Sequence, residues 1–270
     1  MTKNLVFMRT HYFNKAVFSE FTKLSSSLDD SFDSILFIDN HTDFIKLNDD
    51  QNNIPLKING IITKALIYNK SVHDKLNLPY YAEDYQNNDL GKVMWYCSDY
   101  PLYIVRKYFP DYDYYWSFEN DVFCNGNSYK PFFENYKNDD SDLIISHYRS
   151  TKNENWVWNL YSTWCGYKDN DIYGCLFPVV RISAKAADFL YQKRLEHAEI
   201  FKNLINNTSH HKMLHNRWIF CEAFTATELT HNGFKCKNLD EPFLRYQPIY
   251  NLNIERIFEK PDFRLYHPVK

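Results

Sequence analysis

Glycine is scarce in this chain, six residues in 270, and no Gly-x-Gly-x-x-Gly follows the first apolar segment. The phosphate-cradling turn of dinucleotide-binding Rossmann proteins is therefore missing. None of the six cysteines (Cys97, Cys124, Cys165, Cys175, Cys221 and Cys236) forms a Cys-x-x-Cys pair, which argues against structural zinc. A chain this long needs no disulfide staples, and the thiols are expected to be reduced. No apolar run approaches the roughly 20 residues of a membrane-spanning helix. The opening Met1-Thr2-Lys3-Asn4-Leu5-Val6-Phe7-Met8-Arg9 lacks the apolar core of a signal peptide. The expectation is a cytoplasmic protein with no transmembrane segment, which leaves peripheral membrane association open. An excess of basic charge is also lacking. The net charge of -3 points away from a general nucleic-acid binder.

Aromatic residues are abundant: 22 Tyr, 21 Phe and 6 Trp. Most must build the core, and the excess suits a carbohydrate or nucleotide ligand, against which rings stack. Leu5-Val6-Phe7-Met8 reads as a buried first strand. Lys15 to Leu28 carries Ala16, Phe18, Phe21 and Leu24 near one helix face. Ser34-Ile35-Leu36-Phe37-Ile38 is a second strand, closed by Asp39. This strand-helix-strand order predicts a βαβ unit and a parallel sheet. Gly60 to Tyr68 fits a strand or part of a helix, and Lys92-Val93-Met94-Trp95-Tyr96 is read as a strand. Asp99 and Pro101 then suit a helix start, with the helix running through Val105 to about Tyr108. Asp142 to Ser146 is another strand, Trp156 to Tyr167 is irregular, and helices are expected over Ser183 to Arg194 and Lys212 to Ala226. Phe263 to Lys270 reads as a final extended segment.

Between these elements lies Asp111-Tyr112-Asp113-Tyr114-Tyr115-Trp116-Ser117-Phe118-Glu119-Asn120-Asp121-Val122. An aromatic strand ends there in two carboxylates one residue apart. Side chains alternate along a strand, so Glu119 and Asp121 are expected on one side. Mg2+ and Mn2+ take oxygen ligands and are often shared with phosphates, so this strand end is a candidate for holding a metal-bound diphosphate. The alternative is a solvated acidic turn.

In this order the pieces resemble the GT-A type of nucleotide-sugar glycosyltransferase. More narrowly, they are similar to bacterial and fungal transferases with a Tyr-Trp-x-x-Glu-x-Asp motif after an Asp-Tyr-containing helix. The matching residues are Ser98-Asp99-Tyr100, Tyr115-Trp116, Glu119-Asn120-Asp121 and the tail Tyr266-His267-Pro268-Val269-Lys270. Glu119 departs from the usual first Asp but keeps charge and oxygens. The resemblance implies a single GT-A-like α/β domain over 1–270, with a Rossmann-like, mainly parallel sheet flanked by helices. Residues 1–125 would bind the nucleotide sugar, and residues 126–270 the acceptor. It implies Mn2+ or Mg2+ as cofactor, held by Asp121 and His267, with Glu119 contacting the ribose or the metal. Lys270 would touch phosphate. Arg9, Thr10 and Asp39 would meet base and ribose at strand ends, where open α/β sheets bind ligands. Asp99 is a further candidate, with helix capping as its other role. The implied donor is a UDP-sugar, and the implied acceptor a glycan, free or lipid-linked. The product class that the resemblance implies is bacterial capsule or lipo-oligosaccharide.

Inverting transfer needs a carboxylate base. Glu222, an acid within an apolar stretch where burial raises a pKa, is the candidate, with a salt-bridged helix residue as the alternative. Glu228 reads as solvated surface. His211 and His215 have His-x-x-x-His spacing without an adjacent acid and are set aside. Arg149, Trp156 and Trp158 are acceptor-platform candidates that equally suit the core, and Arg181 beside Ser183 is undecided. The competing readings are a non-catalytic carbohydrate- or nucleotide-binding protein and, less favoured, a glycoside hydrolase. A hydrolase needs its carboxylates on opposite sides of the scissile bond.

Overall fold

The computed structural model describes residues 2–12, 14–41, 45, 52–58, 61–80, 90–159, 165–207, 218–239, 244–246 and 261–269. In chain order the strands and helices are β1 (Asn4–Thr10), α1 (Lys15–Ser26), β2 (Phe32–Asp39), β3 (Asn53–Ile58), β4 (Ile61–Tyr68), α2 (Lys70–Lys75), α3 (Leu90–Tyr96), α4 (Tyr100–Tyr108), β5 (Tyr114–Glu119), β6 (Phe123–Cys124), α5 (Lys130–Tyr136), β7 (Leu143–Ser150), β8 (Tyr173–Ser183), α6 (Ala184–Asn207), α7 (Cys221–His231), β9 (Cys236–Asn238), β10 (Leu244–Tyr246) and β11 (Leu265–His267).

Eight strands form one sheet in the order β3-β4-β2-β1-β5-β8-β7-β9. The pairs β1–β2, β1–β5, β2–β4 and β7–β9 are parallel, while β3–β4, β5–β8 and β7–β8 are antiparallel. The sheet is thus mixed, with its parallel core in the first half of the chain. Strand alternation sends Val6, Met8, Trp116 and Phe118 to one face, against Val17, Phe21 and Leu24 of α1 and Phe132, Phe133 and Tyr136 of α5. Leu5, Phe7 and Tyr115 go to the other face, against residues of α3, α4, α6 and α7. Full burial of each such side chain contributes about 1.5–3 kcal/mol. Both faces are covered, so the central strands read as continuous apolar runs.

Local signals explain several boundaries. Asn14 caps α1, its Oδ1 accepting from Val17 N at 2.8 Å. Ser183 accepts from Ala186 N at 3.3 Å at the start of α6. That helix continues to Asn207, well past the expected Arg194. The segment 92–96, expected as a strand, lies in helix α3: Leu90, Val93, Met94 and Cys97 are buried at helical spacing. Gly60 to Tyr68, left open between strand and helix, supplies strand β4 from Ile61. The helix expected over Lys212 to Ala226 begins at Cys221 and runs to His231, and 212–217 lie outside the described residues. Among the described residues no helix is long and apolar enough to cross a membrane.

Candidate metal and acid-base site

The chain lays down β1, β2 and β4 outward in one direction and returns to place β5 on the other side of β1. The gap between the carboxyl ends of β1 and β5 is therefore the switch point where open α/β sheets bind ligands. Parallel register sets Arg9 opposite Glu119 at that gap. Their side chains form an ion pair, Arg9 Nη2 to Glu119 Oε1, and Arg9 Nη1 donates to the Ser98 carbonyl at 3.4 Å.

Glu119 is the last residue of β5, and Asp121 lies in the turn beyond it, so only the first acid is on the strand. A second sheet brings in the third member. β11 pairs antiparallel with β6, with Tyr266 opposite Phe123, and Val269 N donates to the Asp121 carbonyl at 3.0 Å. His267 Nε2 then stands 2.8 Å from Glu119 Oε2 and 3.3 Å from Asp121 Oδ1. Ligand atoms of the three residues all lie within 4.8 Å of one another. Two carboxylate oxygens and an imidazole nitrogen fit a divalent cation such as Mn2+, and the oxygens also suit Mg2+. Burial alone would raise the Glu119 carboxyl, but Arg9 and His267 outweigh it and hold the group down to about 2. Burial disfavours a charged His267, yet its hydrogen bonds to Asp121 and Glu119 and their negative charge lift it to about 9.

Glu222 sits half-buried in the first turn of α7. Burial and the negative charge of Glu119 push its carboxyl up to about 8, against the opposing pull of Arg149. The helix dipole at that position favours the anion but is outweighed. Residues a hundred positions apart in sequence therefore share one electrostatic environment. Arg149 is clamped by Glu154, with both Nε and Nη2 within 3.1 Å of its carboxylate oxygens, and its guanidinium lies 5.4 Å from the Trp156 ring. Gly174 permits this packing, because a Cβ there would stand 3.0 Å from Trp156 Cη2.

The remaining expected contacts divide. Thr10 Oγ1 donates to the Tyr12 carbonyl at 2.6 Å, and Asp39 Oδ1 lies 3.1 Å from His41 Nδ1; both are buried at the ends of their strands. Asp99 makes no capping hydrogen bond and is fully buried. Its oxygens take Arg194 Nε at 2.8 Å, Arg194 Nη2 at 3.0 Å and the Tyr103 hydroxyl at 2.7 Å, which accounts for the carboxylate without a ligand. Glu228 is not solvated: it is 1% exposed and pairs with His197 at 2.8 Å. Arg181 is buried on the carbonyls of Tyr136, Asp139 and Ser141 and over the Tyr114 ring, beside the amino end of β5. Lys270, His211 and His215 lie outside the described residues.

Two residues the sequence did not suggest belong here. Tyr12 accepts from Asn120 Nδ2 at 2.8 Å, and burial together with the charge of Asp121 raises its phenol. The only sequence signal was its place two residues past β1. Arg194 also donates to the Ile219 carbonyl at 2.8 Å. One buried guanidinium therefore ties the 97–99 turn, which receives Arg9, to the segment that launches Glu222.

No family model and no curated protein matches this chain. Among solved structures, apo mouse xyloside xylosyltransferase 1 aligns over 98% of this chain and 97% of its own, with 10% identity and a TM-score of 0.47. Galactosyltransferase LgtC in complex with donor and acceptor sugar analogues aligns over 98% and 86%, with 13% identity and a TM-score of 0.43. An active-site mutant of LgtC gives 13% identity and a TM-score of 0.44. At these values the likenesses carry no weight for function, and the assignment rests on the chain's own site.

Proposed function

We propose that the chain is a metal-dependent, GT-A-like glycosyltransferase that moves a sugar from a nucleotide-sugar donor to a glycan acceptor. The observation that supports this best is the meeting of Glu119, Asp121 and His267 at the sheet's switch point, within electrostatic reach of Glu222. Asp121, Glu119 and His267 would hold Mn2+ or Mg2+. A divalent cation there supplies positive charge to a departing diphosphate. Arg9 keeps Glu119 ionised and aimed. Thr10 and Asp39 flank the crevice where base and ribose would lie, with Lys270 assigned to phosphate from the resemblance.

In an inverting transfer Glu222, ionised, accepts the proton of the acceptor hydroxyl. The acceptor oxygen forms a bond to the anomeric carbon as the bond from that carbon to the diphosphate oxygen breaks, and the leaving group takes the electron pair. A UDP-sugar donor and a bacterial surface glycan as product are the narrower parts of this reading, and they rest on the motif resemblance. The test is a panel of UDP-, GDP-, CMP- and dTDP-sugars with Mn2+, scored by nucleotide release. Release with one nucleotide, lost on chelation and in Asp121→Ala, is the expected outcome. Nucleotide binding without release from any sugar assigns a binding protein instead, and a metal-independent Asp121→Ala enzyme removes the metal site.

A further inference from the structure

Near Glu222 in the chain, a cluster of rings that the proposed chemistry leaves unused runs from buried Phe220 through half-buried Trp158 and Tyr96 to exposed Trp95. Trp158 and Phe220 are stacked at 3.9 Å, with their planes 12° apart. Tyr96 meets Phe220 edge-on at 4.9 Å and is pinned by its hydroxyl, which donates to the Trp218 carbonyl at 2.7 Å. Trp95, at the end of α3, leans on Phe220 at 5.4 Å and on Trp158 at 6.5 Å. The Trp95 side chain is thus held by neighbouring rings, yet it is 62% exposed, the most exposed large apolar residue among those described.

We propose that Trp95, with the half-buried Trp158 beside it and the buried Phe220 as its backing, forms the stacking floor of an acceptor-sugar subsite. This rests on the glycosyltransferase reading and adds to it the face by which the acceptor is held. Three observations select a sugar. The floor is tied to the acid through its backing ring: Phe220 precedes Glu222 by two residues, so their Cα atoms are at most about 7.6 Å apart. It is also continuous with the donor crevice, because α3 runs directly into Ser98, whose carbonyl receives Arg9. A pyranose offers an apolar C–H face and a rim of hydroxyls. An uncharged ring floor beside a proton-accepting carboxyl matches both, in the manner of apolar pockets with a few placed polar groups. One ring that is 62% exposed offers less than the roughly 150–250 Å² of a whole aromatic side chain, well short of the roughly 800 Å² per partner of a stable protein interface.

The experiment titrates the full chain with lactose, maltose, cellobiose and N,N′-diacetylchitobiose, following tryptophan emission and saturation-transfer NMR, without nucleotide or metal. At least one disaccharide should give a saturable shift. Trp95→Ala should raise its Kd about tenfold or more, and Trp95→Phe about threefold, on the scale of one lost ring contact. Unchanged thermal midpoints show that both variants fold. The proposal is overturned if no disaccharide gives a saturable response, or if Trp95→Ala leaves the Kd unchanged. It is equally overturned if Trp95→Ala abolishes instead a concentration-dependent dimer or cosedimentation with phosphatidylglycerol vesicles. Nucleotide release by the native protein is scored separately. Sugar binding without release refutes the transferase and keeps the floor, and release without sugar binding does the reverse.

Discussion

Replacing Glu222 by Gln keeps the shape of the side chain and removes its titration. In the folded chain the carboxyl titrates at about 8, against an ordinary value of 4.5. Burial and the charge of Glu119 oppose ionisation only when the chain is folded. The folded pKa lies above the unfolded one, so the folded state binds more protons between these values, and stability falls as pH rises from about 4.5 to about 8. At about 1.4 kcal/mol per pH unit, the rise from 4.5 to about 8 corresponds to roughly 5 kcal/mol, of which about 3 kcal/mol falls between about pH 5.5 and about pH 8.5. Urea unfolding of the native protein and Glu222→Gln, in EDTA, measures the difference at each pH. The variant should gain about 3 kcal/mol on the native protein across that window. Adding Mn2+ should move downward the pH range over which the native protein loses this stability, because a cation beside Glu119 offsets the charge that pushes Glu222 up. Parallel stability curves for the two proteins would refute the placing of Glu222 in the field of Glu119.

Arg194→Met should cost about 3–5 kcal/mol of unfolding free energy, since it strands Asp99 as a buried charge. Asp99→Asn added to it should recover part of that loss, and urea midpoints without such recovery tell against the pair. Buried His73 is held down to about 4, mainly by desolvation. Below its ordinary 6.5 the unfolded chain takes a proton that the folded chain refuses, so stability drops as pH falls from about 6.5 to about 4, by up to about 3 kcal/mol. His73→Phe should flatten this acid limb, and an unchanged limb contradicts the assignment. Asp121→Asn should abolish the rise in thermal midpoint that Mn2+ gives the native protein, a rise governed by ligand concentration over Kd. A persistent rise would place the cation elsewhere.

The apolar runs of β1, β2 and β5 were legible because strands covered on both faces need no polar alternation. The acid pair was legible for the same reason, as the abrupt end of such a run. Val93 to Tyr96 misled because four consecutive apolar residues mimic a strand, and the helical period shows only when Leu90 and Cys97 are counted. Glu228 misled because its burial depends on His197, supplied by a different helix. The pairing of Arg9 with Glu119 depends on strand register, and that of Arg194 with Asp99 on packing across 95 positions, so neither leaves a local trace. His267 was reached through the resemblance of the tail, and the pairing of β11 with β6 is what carries it to the acids.

The three side chains proposed to hold a cation hang from parts of the fold with unequal lifetimes against opening. β5 is bonded on both edges, to β1 and β8, in the middle of the eight-stranded sheet, and its amides should exchange with solvent only through global unfolding. β11 is also bonded on both edges, to β10 and β6, but it is three residues long and meets β6 at two register positions in a separate three-stranded sheet. Local undocking of that short strand takes His267 away while Glu119 and Asp121 stay in place, so cation affinity becomes a gauge of how firmly the tail is seated. Hydrogen exchange at Leu265 to His267 should slow on Mn2+ binding while β5 is unaffected, and the free energy of that local opening sets how much of the site's affinity is spent on closing it.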